Sequence, residues 1–358
     1  MISAAPSPAQ ATAAGLGAAL CWTLASLLWR RLPTALSALQ LNLLKTLLAG
    51  TLQLPLVLLQ PWSAPPWRLG LLAASGVLGI ALGDSFYFAA LRRLGTRRCL
   101  TLEAGGPAVT ALAGVALLEE VPRPDQWLGI LLISAAVLLV ARQRPPGLPA
   151  RPAPQAGPAG VARPAPAGEI VPATATATAT AAADSGPQGH GLQAAITPGA
   201  DPAGAMSADG DRLGLLLGLA GLLCGSAGAL LSRAALVGGA LTPLQAATLR
   251  LAAASLVLLP LLRGLPAAAH WPRRARGRWP LVLLATLLGT SGGLVLQQTA
   301  LAGLPGGLAV SLLATAPLIG VLLAPLEGDR PGWLGLLAAC CGLLGVSLVV
   351  GVAPGWLG

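Results

Sequence analysis

The chain has 358 residues, of which 55% are hydrophobic and 9% are charged, and its formal net charge is +10. Soluble domains contain about 25% charged residues, and a soluble chain this apolar would expose large hydrophobic patches. The composition therefore excludes an ordinary soluble fold and predicts an integral membrane protein. In such a protein the arginines between apolar runs indicate membrane topology, which argues against nucleic-acid binding as the reason for the positive charge.

Ten apolar runs follow one another, each close to the ~20 residues that a helix needs to cross a bilayer. The predicted spans are residues 11–29, 35–60, 69–91, 98–118 and 126–141, then 212–233, 243–262, 278–302, 305–326 and 332–350. Residues 144–211 are rich in proline, alanine, glycine and threonine and are predicted to form a disordered linker. We therefore expect an all-α membrane protein in which residues 1–143 and 212–358 each form a five-helix half.

Short motifs recur in the same order in both halves. They are Ala90-Leu91, Pro107, Glu120 and Trp127-Leu128-Gly129, then Ala300-Leu301, Pro317, Glu327 and Trp333-Leu334-Gly335. Because five spans is an odd number, the second half must enter the membrane from the opposite side. The pattern predicts an inverted repeat with a site near the middle of the membrane, between the halves.

This order of motifs resembles the drug/metabolite transporter superfamily, specifically its EamA-type carriers. The resemblance implies a secondary transporter of the cytoplasmic (inner) membrane that exports small metabolites, such as amino acids or related compounds, by alternating access. No cofactor is expected, protons are a candidate coupling ion because of the carboxylate Asp84, and monomer and homodimer stay open. The halves are not identical in chemistry, because Leu294 and Leu313 stand where the first half has Asp84 and Glu103.

Four ionisable residues inside the spans are the main candidates for the site, since charges in hydrocarbon are costly and usually face a cavity or each other. Lys45 and Arg250 occupy corresponding positions, about ten residues into their spans. They are candidates either to bind an anionic group of the substrate or to pair with a carboxylate and hold the bundle together. Asp84 and Glu103 are candidates for proton or substrate binding, with a structural role as the alternative.

Three further polar side chains are predicted to contribute to the same site. Tyr87 follows Asp84 by three residues and therefore lies on the same helix face. Gln297 and Gln298 fall where the first half has Tyr87 and Phe88, and they are predicted to line a polar cavity. The histidines lie outside the spans and the cysteines form no C-x-x-C motif, so no metal site is expected.

Two prolines are predicted to bend the helices around the site. Pro107 and Pro317 each remove a helix hydrogen bond and are expected to kink the fourth and ninth spans. In a bilayer the carbonyl that each proline frees needs another partner. The hydroxyls of Thr110 and Thr315 are near enough in sequence to provide one.

Other features of the spans have simpler interpretations. Glu119, Glu120 and Glu327 lie where spans end and are predicted to be solvated end groups. The sixth span carries glycines at spacings of four, three, four and three, which predicts close helix packing and no chemistry. These glycines are Gly214, Gly218, Gly221, Gly225 and Gly228.

Membrane orientation and function class both leave alternatives open. Outside the linker, the loops after odd-numbered spans hold 12 arginines and the other loops three, which by the positive-inside rule places both termini outside the cytoplasm. The carriers that the chain resembles usually keep both termini inside, so the orientation stays undecided. The alternatives to a transporter are a non-transporting membrane scaffold and, with less support because no metal cluster or Ser/His pair lies in the spans, a membrane-embedded enzyme.

Overall fold

The computed structural model describes residues 5–30, 38–143, 208–264, 279–327 and 332–351. Within these ranges all regular structure is helical, and ten helices are long and apolar enough to cross a membrane. The first half contains α1 (Pro8–Leu28), α2 (Leu39–Leu58), α3 (Pro66–Gly95), α4 (Arg98–Leu118) and α5 (Pro124–Arg142). The second half contains α6 (Arg212–Leu236), α7 (Pro243–Leu261), α8 (Trp279–Gly303), α9 (Gly306–Leu323) and α10 (Trp333–Val350). The predicted all-α fold with five spans in each half is confirmed.

Local sequence explains where several helices begin. Pro66, Pro124 and Pro243 lie in the first turn of their helices, where the missing backbone N–H would have no helical partner. At the start of α7, Gln245 N donates to Thr242 Oγ1 at 3.2 Å, and Thr242 N donates to Gln245 Oε1 at 2.9 Å. This reciprocal pair is a capping box, which fixes the first residue of the helix.

The sixth helix begins earlier than the hydropathy pattern predicts. Its regular structure covers Ala208–Leu236, so residues 208–211, predicted as the end of the linker, are helical. The rest of the predicted linker, residues 144–207, lies outside the described residues.

A single glycine forms the turn between α3 and α4. The helical segment Asp84–Glu103 crosses this boundary, and Gly95 leaves the helical conformation with φ 72° and ψ 170°. Glycine adopts positive φ without the steric cost of a Cβ. The tight turn therefore puts Asp84 and Glu103 near each other on consecutive helices.

The glycines of α6 allow it to pack directly on the backbone of α3. A Cβ placed on Gly221 would lie 3.1 Å from Tyr87 N, and one on Gly228 would lie 2.9 Å from Gly79 Cα. Gly225 differs, because no neighbouring atom of the described residues lies within 4 Å of its Cβ position. Gly225 nevertheless lies close to α3, since a Cβ on Gly83 would be 3.5 Å from Gly225 N, so the predicted close packing of α6 is observed at Gly221, Gly225 and Gly228.

Both α4 and α9 are divided by a two-residue turn. The segments that follow the turns are Gly106–Leu118 and Ala316–Leu323. Pro107 and Pro317 lie in the first turn of these segments, a position that suits proline. The distortions at the two prolines are thus interruptions of the helix, and they occur at corresponding places in the two halves.

The threonines near these prolines bind carbonyls other than the expected ones. Thr110 Oγ1 donates to Gly106 O at 2.9 Å, and Thr315 Oγ1 donates to Leu312 O at 2.6 Å. In an uninterrupted helix, residues 107 and 317 would pair with the carbonyls four positions earlier, at 103 and 313. Neither hydroxyl therefore binds the carbonyl that its neighbouring proline frees.

Candidate functional site

Two π-helical segments occupy corresponding places in α3 and α8. They are Val77–Gly83 and Thr286–Gly292, and each lies in the middle of its span. A π turn displaces backbone carbonyls from the regular helical pairing, and such turns are frequent at functional sites. The two segments mark the level in the membrane at which the candidate residues gather.

Side chains from neighbouring helices bind carbonyls of both π segments. Asn42 Nδ2 donates to Ile80 O at 3.3 Å, and Trp22 Nε1 donates to Gly289 O at 3.1 Å. The bilayer core contains no water to bind displaced carbonyls, so protein donors have to satisfy them. These bonds therefore stabilise the irregular backbone next to the site.

Asp84, the first residue after the π segment of α3, pairs with Lys45 of α2. Lys45 Nζ lies 3.5 Å from Asp84 Oδ2 and 5.8 Å from the centroid of the Phe88 ring. The ring face attracts the ammonium group in addition to the carboxylate. The side chains of Lys45 and Asp84 are 18% and 37% exposed, so the carboxylate remains accessible to a ligand.

Arg250 of α7 is buried against α3. Its Nη1 donates to Gln297 Oε1 at 3.3 Å, and its Nε has no hydrogen-bond partner in the described part of the chain. A Cβ on Gly76 would lie 2.7 Å from Arg250 Cα, and one on Gly79 would lie 3.1 Å from Arg250 Nη2. The two glycines thus create the space that the arginine occupies.

The positive charge of the buried Arg250 guanidinium is not balanced by a carboxylate at ion-pair distance among the described residues. Arg250 is 3% exposed, and no carboxylate of the described residues lies within ion-pair distance of it. A buried charge without a paired partner is strongly destabilising. An anionic ligand group would supply the missing partner.

The four candidate charges form one group, which we call the charged cluster: Lys45, Asp84, Glu103 and Arg250. Asp84 interacts electrostatically with both Lys45 and Arg250, and Glu103 interacts electrostatically with Asp84. The charged cluster therefore joins two cations and two carboxylates from α2, α3, α4 and α7. The Lys45–Asp84 pair is its direct ion-pair contact.

Two buried amides near the charged cluster have unused hydrogen-bonding capacity. Gln298, next to Gln297, is 0% exposed, and neither atom of its amide has a partner among the described residues. Asn42 is 1% exposed, and its Oδ1 likewise has no partner there. Buried polar groups are nearly always hydrogen-bonded, so these atoms are candidates to bind water or a ligand.

Tyr87 lies beside the charged cluster. Its ring packs against that of Phe88, with centroids 5.8 Å apart, and Phe88 in turn contacts Lys45. Asn42 and Phe88 were not predicted from the sequence to belong to the site. Asn42 had a detectable signal, because a polar residue three positions before Lys45 in an apolar span lies on the same helix face.

The predicted solvation of Glu120 is wrong. Arg233 Nε donates to Glu120 Oε1 at 2.6 Å, and Gly306 N donates to Glu120 Oε2 at 2.7 Å. The Glu120 side chain is only 14% exposed, because these partners from the second half surround it. Glu119 is exposed, and the side chain of Glu327 lies outside the described residues.

Comparison with known protein families establishes the class of the chain. The EamA-like transporter family matches residues 11–142 and 212–351, which include all ten spans almost completely. The chain belongs to the EamA-like transporter family. A crystal structure of a protein aligns with 96% of this chain and 98% of its own length, at 19% identity and a TM-score of 0.63, which supports the fold alone. No curated protein matches the chain.

Membership in the EamA-like transporter family, together with ten membrane-length helices, identifies an integral membrane protein of a family that transports small molecules. In the described part of the chain, no group of three or more histidine, cysteine, aspartate and glutamate side chains could hold a metal ion. The arrangement can therefore offer cations, carboxylates and amides to a polar molecule between the two halves.

Proposed function

We propose that this member of the EamA-like transporter family is a secondary transporter that exports a small metabolite, such as an amino acid or a related compound, across the cytoplasmic membrane. The observation that carries the proposal is the charged cluster, in which an accessible Lys45–Asp84 pair lies beside a buried Arg250 without a described carboxylate partner. Charges at such depth are costly and usually serve the substrate or the coupling ion. Alternating access would expose the cluster to one side of the membrane at a time.

A substrate that carries both a carboxylate and an amino group fits the charged cluster. Its carboxylate would accept hydrogen bonds from Arg250, which is 3% exposed in the described conformation and would have to become accessible during the transport cycle. Its amino group would bind Asp84, whose 3.5 Å contact with Lys45 is long enough to be exchanged for a shorter one. The unpartnered amide of Gln298 would supply a further donor and acceptor.

Protons are the proposed coupling ion, with Asp84 and Glu103 as their carriers. Both carboxylates come from the first half, whereas Leu294 and Leu313 hold the corresponding positions in the second half. Asp84 and Glu103 lie on consecutive helices joined by the turn at Gly95. A carboxylate that binds either a proton or the amino group of the substrate, but not both, would exchange one for the other. Protons would then move in one direction across the membrane and substrate in the other.

The proposed transport path lies between the two halves. Residues 1–143 supply Lys45, Asp84 and Glu103, and residues 212–358 supply Arg250. Residues 144–207 would serve as a linker that connects the halves and takes no part in binding.

Counterflow tests the function directly. Proteoliposomes that contain the protein and an unlabelled pool of amino acids and related metabolites should accumulate a labelled member of that pool. If no member of a broad pool shows protein-dependent flux, the transporter assignment for this chain is contradicted, and the scaffold alternative gains support.

The same vesicles test the role of Asp84. Asp84→Asn keeps the shape and hydrogen bonding of the side chain but removes its charge, so it should insert normally and lose flux driven by a proton gradient. Asp125→Asn is the control, since this carboxylate lies in the first turn of α5 and pairs with the exposed Arg123, and such surface pairs contribute little. If Asp84→Asn transports with an unchanged pH profile, Asp84 is a structural partner and Glu103 becomes the candidate.

A further inference from the structure

One carboxylate of the first half binds the turn between α8 and α9. Glu120 accepts from Arg233 Nε at 2.6 Å and from Gly306 N at 2.7 Å. Arg233 Nη1 donates in turn to Leu301 O at 3.0 Å and to Ala302 O at 2.9 Å. We call these two side chains, together with Gly306 N and the two carbonyls, the Glu120 clamp.

The charges of the Glu120 clamp match the helix ends that they contact. The carboxylate of Glu120 binds the first backbone N–H of α9, where the helix dipole favours a negative charge. The guanidinium of Arg233 binds the last turn of α8, where the dipole favours a positive charge. Both side chains are about 15% exposed, so water screens these charge-assisted bonds only weakly.

The backbone conformation at the end of α4 directs the side chain of Glu120 toward its partners. Glu119 has φ 57°, a left-handed conformation that non-glycine residues rarely adopt, and it ends the helix. Glu120 N then donates back to Gly114 O at 3.2 Å. This reversal leaves Glu119 exposed and directs Glu120 inward, which explains why two adjacent glutamates have different environments.

The Glu120 clamp lies where the two halves are closed against each other. The segment Gly106–Leu118 of α4 packs on the first segment of α9, and a Cβ on Gly307 would lie 2.6 Å from Ala111 Cα. In the other half of the repeat, the corresponding contact is between Ala316–Leu323 of α9 and the first part of α4. Among the described residues, this contact is much less extensive. The described conformation is therefore closed at the face that holds the clamp and more open at the other.

We infer that the Glu120 clamp holds this face of the transporter closed and opens once in each transport cycle. The inference rests on the alternating access proposed above, which requires the closed face to open. When it opens, Glu120 leaves Arg233 and Gly306 and becomes solvated. Arg233 keeps its two carbonyl partners, because these belong to its own half.

Spin-label distances between α4 and the end of α6 test the inference without any substrate. The labels replace Leu117 and Val237, which are 72% and 47% exposed, in a protein whose five native cysteines have been substituted. Glu120→Gln removes the charge that binds Arg233 and Gly306 N. It should raise the population of the longer distance at least about tenfold, which corresponds to about 1.4 kcal/mol.

Two further variants make the result decisive. Glu119→Gln removes the adjacent exposed charge and should leave the distance distribution unchanged. Arg233→Lys keeps the charge but cannot bridge Glu120 and the carbonyls of α8, so it should also increase the longer distance. Arg233→Lys decides the question if Glu120→Gln fails to fold.

The possible results separate this inference from the proposed function. A wild-type distance distribution in correctly folded Glu120→Gln or Arg233→Lys overturns the clamp, whatever the flux measurements give. Absence of counterflow in the wild-type protein overturns the proposed function, and it is measured in a separate assay.

Discussion

The contact between α3 and Arg250 makes a quantitative prediction about Gly76. A methyl group at this position would overlap the carbonyl oxygen of Arg250 and would lie 2.7 Å from its Cα and 2.9 Å from its carbonyl carbon. Cβ atoms are essentially never found within 3.0 Å of a heavy atom from a distant part of the chain. All three neighbours are backbone atoms, which cannot rotate away as a side chain can. Gly76→Ala must therefore push α7 away from α3.

The loss of stability expected for Gly76→Ala follows from comparing Gly76 with Gly70 in the same helical segment. No neighbouring atom of the described residues lies within 4 Å of a Cβ placed on Gly70. Both substitutions gain helix propensity of about 1 kcal/mol, so this contribution cancels between the two variants. What remains is the overpacking at Gly76, for which about 1–3 kcal/mol is typical. We expect Gly76→Ala to be less stable than Gly70→Ala by that amount.

Equilibrium unfolding in mixed detergent micelles, followed by circular dichroism, measures this difference in the free energy of unfolding. Counterflow should fall as well, because the displaced Arg250 loses its 3.3 Å bond to Gln297, which is already near the upper limit for a hydrogen bond. If Gly76→Ala is as stable as Gly70→Ala, the close approach of α3 and α7 is not as described. The placement of Arg250 against the π segment would then be refuted with it.

Two other predictions concern the substrate and the linker. Arg250→Lys keeps a positive charge but loses the planar fork that binds a carboxylate in two places, so the apparent affinity in counterflow should weaken at least about tenfold; an unchanged affinity for a carboxylate-bearing substrate would mean that Arg250 does not bind it. Replacing residues 150–205 with a flexible segment of equal length should leave the yield of folded protein and the flux unchanged, because their composition offers few large apolar side chains for a packed structure. Loss of flux at normal yield would show that this segment does more than connect the halves.

The spans and the charged residues of the site could be predicted from the sequence because each depends on a local property. A bilayer selects long apolar runs, so all ten spans are visible in the hydropathy pattern. The cost of charge in hydrocarbon likewise singles out Lys45, Asp84, Glu103 and Arg250 as residues that need partners. The structure brings these four together, although their individual roles remain predictions.

Features that depend on how helices pack could not be predicted in the same way. The π segments in α3 and α8 have no composition of their own, since glycine and small residues occur throughout the spans. The partners that bind their carbonyls, such as Asn42 and Trp22, lie in other helices. The solvation predicted for Glu120 is wrong for the same reason. A glutamate at a helix end is usually solvated, and only the positions of Arg233 and Gly306 show that this one is enclosed.

The two halves share the same helix interruptions but differ in their charged side chains. These two features have different roles in the proposed mechanism. Each half has a π segment, Val77–Gly83 or Thr286–Gly292, and each has an interrupted helix that contains a proline. In transporters built from inverted repeats, interrupted helices of both halves typically form the substrate and ion sites. The proposed substrate, in contrast, has a carboxylate at one end and an amino group at the other, so duplicated charges would bind it in either direction. Carboxylates from the first half and the guanidinium of Arg250 from the second would define a single orientation, which a symmetric site could not do.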